Sequence, residues 1–419
     1  MAVYQMAVYQ DVAGYRHTDG AGERMRHKPQ SLSVNGTTIG QWSFRVARHA
    51  ADNSVNERRS GMPAGASGAS GASGTARRRS GQWWSVVVAI VAGGVVVGIV
   101  PSYWITTSPA RGHSMPSITT SGNQVLRGGD SWWLLGYNSF TWSGNCGSPA
   151  ERMSEQQVDD WFGSMRHDGH GAVRLMFFDN WSVDRLDNAI AAAERNNIYV
   201  TITLDNALPD CGEDQKTGAW FADDAKRKHY AEHMTELVER YRGTTTIAWF
   251  EYFNEPGYFD GAVRSFYDQM GSAAKAIDPD RLFSSGTIAP YSTGGAANFR
   301  NIQESPAVDI SSMHEYDYDE AESHLGPGTR AASAGKPVVV GEFGVIDAGG
   351  NRDDCIADVS ERVNRVRRKL NAYLATPGYA GAFAWAWQPG KLEGTCLSLG
   401  VASDAAVQAV LREAQPGMN

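Results

Sequence analysis

The sequence is poor in cysteine and has no excess of positive charge. Only four of the 419 residues are cysteine, and no two of them have C-x-x-C spacing, which argues against a structural zinc site. Lysine and arginine number 38 against 46 aspartates and glutamates, giving a formal net charge of −8, which does not favour a nucleic-acid binder. With 42% hydrophobic and 20% charged residues, the chain has the composition of a globular protein rather than a disordered one.

Charge is unevenly distributed along the chain. Residues 1–80 carry 11 basic and 5 acidic side chains, whereas the remainder carries 27 basic and 41 acidic ones. This N-terminal part includes a tandem MAVYQ duplication and, at residues 65–73, three Gly-Ala-Ser units typical of a flexible linker. We therefore predict a disordered basic segment over 1–80. A translation start near Met62 is the alternative, because the linker, three arginines and an apolar run would follow it as a compact export signal.

Residues 83–105 contain no charged side chain. At about 1.5 Å per residue, this run is long enough for a helix to cross a bilayer core of about 30 Å. Aromatic residues lie at both ends, and three arginines precede it, so we predict a transmembrane signal-anchor with the basic segment in the cytoplasm. A linker over 106–120 would join it to an extracellular domain. A signal peptide cleaved near Ser108 and Ala110 is the alternative, and the domain would then be secreted.

Residues 121–415 alternate short apolar runs with longer amphipathic patterns. Eight such units fit the α/β class and a single (β/α)8 TIM barrel, in which strands buried on both faces show continuous apolar runs. A short hairpin at 121–127 is expected to cover the barrel floor. The eight predicted strands are 133–138, 172–178, 199–205, 246–253, 282–285, 308–313, 337–341 and 381–387.

The four cysteines all follow the apolar run, in a compartment that permits oxidation. Three pairings are possible, and we favour Cys355 with Cys396 and Cys146 with Cys211. The first pair follows adjacent predicted strands, seven and eight, whereas the second follows strands one and three. Two disulfides are therefore expected beside the C-terminal ends of the strands.

Two glutamates follow predicted strands at the end of a barrel where catalytic residues are found. Glu255 ends strand four in the motif Asn-Glu-Pro, and Glu342 ends strand seven in Gly-Glu-Phe-Gly. Paired carboxylates serve glycoside cleavage by double displacement, because one neutral acid protonates the leaving oxygen while one anion attacks the anomeric carbon.

These motifs resemble the retaining glycoside hydrolases of the cellulase superfamily, clan A, and most closely glycoside hydrolase family 5. The resemblance covers about Ser121 to Leu411. It implies that Glu255 is the general acid/base, that Glu342 is the nucleophile, and that Asn254 hydrogen-bonds the 2-hydroxyl of the sugar.

The resemblance also implies further substrate-binding residues. His314 and Tyr316, two positions apart, would line the cleavage subsite, with the tyrosine hydroxyl touching the nucleophile. Arg174 would keep the nucleophile ionised, because a nearby positive charge lowers the pKa of a carboxyl group. Trp385 and Trp387 form a Trp-x-Trp motif after the eighth strand, and we expect Trp385 to be the sugar platform.

Other residues at the strand ends have a structural interpretation. Asn138 is expected to support the scaffold, and Glu251, which lies deeper in strand four, is expected to be a buried hydrogen-bonding residue. The family usually has a histidine at the end of strand three, where this chain reads Leu204-Asp205-Asn206. This departure leaves the substrate subfamily open but does not affect the two carboxylates.

The predicted function is hydrolysis of O-glycosidic bonds in β-linked poly- or oligosaccharides, of endoglucanase or endo-β-mannanase type, with retention. We expect a monomer whose partners are a carbohydrate substrate and, through one N-terminal helix, the cell membrane, with no nucleic acid, cofactor or metal. The alternative is a catalytically inactive cell-surface barrel that only binds glycans. Its only support is the missing histidine, and it would release no reducing sugar from any substrate.

Overall fold

A computed structural model describes most of the region after the basic segment. Side chains are described for 115–415 except at 141, 143, 145, 147, 149–151, 210, 212–213, 317–325, 346–357 and 388–403, and the backbone alone is described for 85–91, 94–100 and 325. The predicted disordered segment 1–80 lies outside the described residues. The strands described within 85–100 belong to one unit and the residues described from 115 onward to another, and each is described by itself.

The predicted transmembrane helix over 83–105 is not a helix where the structure describes it. The backbone there forms two antiparallel strands, β1 (Ser85–Val91) and β2 (Gly94–Val100), with Ser85 paired to Val100. Valine and isoleucine dominate both strands, and β-branched side chains lose rotamer freedom in a helix and favour extended backbone. The prediction of a helix was therefore wrong for these residues. Among the residues described, no helix combines the length and the apolar character needed to span a bilayer.

A small antiparallel sheet precedes the barrel and begins inside the predicted linker 106–120. Ile118 and Val125 of this sheet share a buried cluster with Leu134, Ala172 and Tyr199, which lie at the starts of barrel strands. The sheet therefore covers the barrel floor, as predicted for the hairpin at 121–127. Its strands are β3 (Ile118–Ser121), β4 (Gln124–Arg127) and β5 (Asp130–Ser131).

Eight parallel strands then form the barrel, which confirms the predicted (β/α)8 fold. Neighbouring strands pair in the order β10-β9-β8-β7-β6-β13-β12-β11, and a bridge between Ser284 and Ile310 joins the two ends. Every residue of these strands is buried, as continuous apolar runs predict. The strands are β6 (Leu134–Ser139), β7 (Ala172–Met176), β8 (Tyr199–Thr203), β9 (Ile247–Glu251), β10 (Phe283–Ser284), β11 (Ser311–Glu315), β12 (Val338–Phe343) and β13 (Tyr379–Ala384).

Helices surround the barrel, and several begin at side-chain caps. Ser154 and Gln157 form a capping box at the start of α1, and Asp223 and Asp358 accept backbone N–H bonds at the starts of α4 and α8. The helices are α1 (Glu155–His167), α2 (Val183–Arg195), α3 (Gly218–Ala222), α4 (Asp224–Arg240), α5 (Ala262–Ile277), α6 (Ala296–Gln303), α7 (Leu325–Ala332), α8 (Val359–Ala375) and α9 (Ala405–Glu413).

Candidate active site

Arg174 lies at the centre of a buried polar cluster at the C-terminal ends of the strands. Its side chain projects from β7 and is only 1% exposed. Nε donates to Oε1 of Glu251 at 2.8 Å, and Nη2 donates to Oδ1 of Asn254 at 2.9 Å. Nη1 donates to Oδ1 of Asn138 at 2.9 Å and to Oε1 of Glu342 at 2.8 Å. One guanidinium therefore ties together groups from β6, β9 and β12, which fixes their relative positions.

Glu251 holds the guanidinium from the inside of the barrel. It is 2% exposed, and its carboxylate also accepts hydrogen bonds from Thr203 Oγ1 at 3.0 Å and Ser284 Oγ at 2.9 Å. A buried carboxylate bonded to groups on three neighbouring strands is a structural element, as expected for this residue from the sequence.

Asn138 serves the scaffold as well. Its amide nitrogen donates to the carbonyl oxygens of Gly341 at 2.9 Å and Phe383 at 3.2 Å, which joins β6 to β12 and β13. Its oxygen is turned toward Arg174, so the same side chain helps to fix the guanidinium.

Glu342 has a donor on each carboxylate oxygen. Oε1 accepts from Arg174, and Oε2 accepts from the Tyr316 hydroxyl at 2.6 Å. Complete burial raises the pKa of Glu342 above its ordinary value, whereas His314, Arg174 and the Tyr316 hydroxyl act to lower it. The two donated hydrogen bonds hold the carboxyl group in one orientation.

A register shift places His314 beside Glu342. Met313 of β11 pairs with Val340 of β12, but the next residue, His314, pairs with Glu342, so that Gly341 is passed over. An irregularity of this kind re-aims side chains and is common beside active sites. A Cβ atom at Gly341 would lie 2.8 Å from Nε2 of His314, so the imidazole ring requires a glycine there.

Glu255 follows β9 in a left-handed backbone conformation, with φ at +57°. Non-glycine residues rarely adopt this conformation, and they do so where the surrounding structure fixes it. Its backbone N–H donates to the carbonyl of Gly286 at 3.0 Å, which ties the end of β9 to the chain after β10. The side chain is 5% exposed.

The two candidate carboxylates approach each other across His314. Nδ1 of His314 is 2.8 Å from Oε1 of Glu255 and 3.8 Å from Oε1 of Glu342. One oxygen of each carboxylate and a ring nitrogen of His314 all lie within 4.8 Å of one another. This approach suits the separation of about 5 to 5.5 Å typical of retaining glycosidases and not the 6.5 to 9.5 Å of inverting ones.

His314 is neutral at neutral pH. Burial lowers its pKa to about 4, although the charge of Glu342 opposes this change. A neutral imidazole can exchange a hydrogen bond with Glu255 without adding a second positive charge beside Arg174.

The same three groups, Glu255, His314 and Glu342, are of types that can bind a metal ion. The guanidinium of Arg174, however, is 2.8 Å from Oε1 of Glu342. A positive charge at that distance opposes binding of a second cation. The arrangement therefore fits hydrogen bonding between the residues better than metal ligation.

The two tryptophans after β13 lie in different surroundings. Trp385 stacks on Phe140, which follows β6, with ring centroids 5.6 Å apart and an interplanar angle of 12°. Trp387 is 1% exposed and packs on Tyr137 at 4.8 Å and on His170 at 6.3 Å. Both rings belong to one buried cluster, and Trp385 is 4% exposed.

Asn206 belongs to the cluster and was missed as a site residue. Its Oδ1 accepts a hydrogen bond from Nδ2 of Asn254 at 3.2 Å. In the sequence, 204–206 stands out only as a departure from the family, although its position after the third strand of the barrel is a signal for this contact.

Cys146 and Cys211 form a disulfide, which confirms one of the two predicted pairs. It links the loops that follow β6 and β8, on the side of the barrel that carries the polar cluster. Cys355 and Cys396 lie outside the described residues.

A (β/α)8 barrel with two close carboxylates at its C-terminal end has the architecture of a retaining glycoside hydrolase. Comparison with known families agrees, because the sequence model of the cellulase family, glycosyl hydrolase family 5, matches residues 160–390. The chain therefore belongs to glycosyl hydrolase family 5.

Relatives in this family are similar over part of the chain. A probable mannan endo-1,4-beta-mannosidase F of Aspergillus flavus is 25% identical over 210 residues, covering 43% of this chain and 45% of the relative. Mannan endo-1,4-beta-mannosidase 8 of Oryza sativa is 23% identical over 287 residues, covering 55% and 73%. The chain thus spans under half the length of the Aspergillus relative.

Solved structures share the fold. The endo-1,4-beta-mannanase of Rhizomucor miehei has a TM-score of 0.60 at 16% identity, covering 71% of this chain and 98% of that structure. The endo-beta-1,4-mannanase of Thermotoga petrophila has a TM-score of 0.53 at 16% identity, covering 69% and 78%. At these identities the similarity concerns the barrel alone.

Proposed function

We propose that this protein is an endo-acting β-mannanase that cleaves its polysaccharide with retention of configuration. The approach of Glu255 and Glu342 to within 4.8 Å, with His314 between them, is the observation that carries the proposal for the reaction. The names of the relatives favour mannan over glucan as the substrate. Cleavage of β-glucan by an endoglucanase is the second candidate.

Glu342 is the proposed nucleophile. Donors on both oxygens, Arg174 and Tyr316, stabilise the anion that must attack the anomeric carbon. The attack forms a bond between a carboxylate oxygen and the anomeric carbon, and the bond to the leaving oxygen breaks. The product of this step is a glycosyl ester on the enzyme.

Glu255 is the proposed acid and base. While Glu342 is ionised, its negative charge within 4.8 Å disfavours ionisation of Glu255, which therefore keeps the proton that the leaving oxygen needs. Formation of the ester removes the charge of Glu342, and the pKa of Glu255 then falls. Glu255 can next take a proton from the water that hydrolyses the ester, which releases the sugar with its configuration retained.

Asn254 and Trp385 are the proposed substrate contacts. Arg174 holds the oxygen of the Asn254 amide, so its nitrogen is the group available to a sugar hydroxyl, and we assign it to the 2-hydroxyl. Trp385 offers an indole ring for stacking against the sugar bound beside Glu342. Trp387, in the same motif, remains a further proposed contact; Trp385 and Trp387 are 4% and 1% exposed.

The enzyme is proposed to act outside the cell. A disulfide between Cys146 and Cys211 persists in an oxidising compartment, and a polysaccharide substrate is found there too. Every group of the site comes from one barrel, so a monomer would be sufficient for activity.

The catalytic assignment is tested with Glu342→Ala and Glu255→Ala. Each substitution should reduce turnover at least ~10³-fold, because it removes a group that acts in the transition state. Azide should rescue the first variant with an α-glycosyl azide and the second with a β-glycosyl azide. Glu304→Ala, at an exposed glutamate paired with Arg300, is the matched control and should retain full activity.

Retention is tested by proton NMR of the first product formed from a β-linked substrate. The product should have the β configuration at its new reducing end. An inverted first product, or nearly full activity in either glutamate variant, would contradict the proposed mechanism. Release of reducing sugar from mannan, β-glucan and xylan then identifies the substrate, and release from none of them would indicate a barrel that only binds glycans.

A further inference from the structure

We propose that Asn206 is a positioning residue that aims the amide of Asn254 at the substrate. The inference rests on the proposed function, in which Asn254 bonds the sugar 2-hydroxyl. Asn206 and Asn254 are 2% and 0% exposed, so hydrogen bonds between them form away from water. Their backbones also pair in a parallel bridge, which joins the segment after β8 to the segment after β9.

The chemistry of the neighbours fixes the orientation of both amides. The guanidinium of Arg174 only donates, so the group of Asn254 that lies 2.9 Å from its Nη2 must be the oxygen. The backbone N–H of Leu208 also only donates, so the group of Asn206 that lies 3.3 Å from it must be the oxygen as well. The contact of 3.2 Å between the two side chains is therefore a bond from Nδ2 of Asn254 to Oδ1 of Asn206.

This arrangement determines where the second hydrogen of the Asn254 amide points. An amide group is planar, so a bond to Arg174 on one side and a bond to Asn206 on the other leave one N–H direction. Without Asn206 the amide keeps its bond to Arg174 but can rotate, and a buried donor loses its acceptor. The contact with the substrate would then weaken in the transition state, although Asn254 itself is unchanged.

The acceptor that Asn206 offers does not depend on pH. An amide oxygen does not titrate, so it accepts the bond from Asn254 at every pH. The positioning of Asn254 by Asn206 is therefore independent of pH over the range in which histidine titrates.

The test compares two substrates on four variants. The substrates are an aryl β-disaccharide of the sugar identified in the polysaccharide panel and its analogue lacking the 2-hydroxyl at the cleaved sugar. Asn206→Ala should lower kcat/KM on the parent about tenfold, the size expected when a buried donor loses its acceptor, and should change the deoxy substrate less than about twofold. Asn206→Asp, which retains an acceptor, should preserve the wild-type ratio of the two substrates.

Two controls separate this inference from the proposed function. Asn254→Ala should abolish the preference for the 2-hydroxyl substrate. Asn298→Ala removes a similar amide bond, to the carbonyl of Thr293 at 2.9 Å, from another loop and should leave both rates unchanged. An equal loss on both substrates in Asn206→Ala would show a merely structural role and would overturn the inference. An unchanged ratio in Asn254→Ala would contradict the proposed 2-hydroxyl contact as well.

Discussion

Replacing Arg174 with methionine tests the electrostatic arrangement of the site. The substitution keeps a long unbranched side chain but removes the positive charge and all five N–H donors. Glu251 and Glu342, which are 2% and 0% exposed, would both lose the guanidinium that bonds them. Asn138 and Asn254 would lose a donor too.

The expected cost follows from these burials. Removing one partner of a buried ion pair typically destabilises a protein by about 3 to 5 kcal/mol, because the remaining charge is left without compensation. A typical domain is stable by only about 5 to 15 kcal/mol, so the loss should be readily measured. Part of it will be relieved by protonation, since the pKa of Glu342 rises when the neighbouring cation is removed.

Urea unfolding at pH 7 and the pH dependence of kcat/KM provide the two measurements. The nucleophile must be ionised, so activity falls as pH drops through its pKa, and a raised pKa moves this acidic limb to higher pH. Arg174→Lys is the matched control, because it keeps the charge but not the planar fork, and its limb should move less. The reasoning is refuted if Arg174→Met has an unchanged free energy of unfolding and an unchanged acidic limb.

Two further predictions concern pH. Tyr316→Phe removes the hydroxyl that donates to Glu342 at 2.6 Å, so the pKa of Glu342 should rise. The acidic limb of kcat/KM should then move to higher pH. An unmoved limb would count against the contact. Burial lowers the pKa of His170, His233 and His314, the last to about 4. The unfolded chain therefore binds protons at these histidines before the folded protein does, and the free energy of unfolding should decrease as pH falls below about 6.5. Between pH 7 and pH 5, His314 alone should reduce the free energy of unfolding by roughly 2 kcal/mol, and His314→Gln should show a correspondingly shallower dependence in urea unfolding.

The barrel and its two carboxylates could be predicted from the sequence because both signals are local. Continuous apolar runs mark strands that are buried on both faces, and polar residues directly after them lie at one end of the barrel. Glu255 and Glu342 therefore needed no knowledge of the packing to be identified. Arg174 is less obvious, and its assignment depended on the resemblance to the family.

Features that depend on register could not be predicted in this way. The shift between Met313 and His314 arises from how β11 meets β12, and neither strand shows it alone. Alternation of side chains would place Trp385 and Trp387 on one side, but β13 ends at Ala384, so alternation no longer applies there. The two rings accordingly differ in their surroundings.

The apolar segment before the barrel shows a limit of hydropathy. An uncharged run of this length is compatible with a membrane helix and equally with two short strands. Neither length nor charge distinguishes β-branched side chains from unbranched ones. Valine and isoleucine occupy most positions of β1 and β2, and this composition favours extended backbone.

Glu251 is a third carboxyl group in the buried cluster, and it bonds the guanidinium of Arg174. In the proposed mechanism Glu255 holds the proton, and the cluster then contains the cation of Arg174 with the carboxyl groups of Glu251 and Glu342 bonded to it. Glu251 and Glu342 bond the same guanidinium, so Glu251 holds Arg174 in the position from which it orients Glu342. The transition state of glycoside cleavage resembles an oxocarbenium ion and is positively charged. In the proposed mechanism, carboxylates that the fold fixes before the substrate arrives would stabilise that ion more than the neutral sugar, and this difference would lower the barrier.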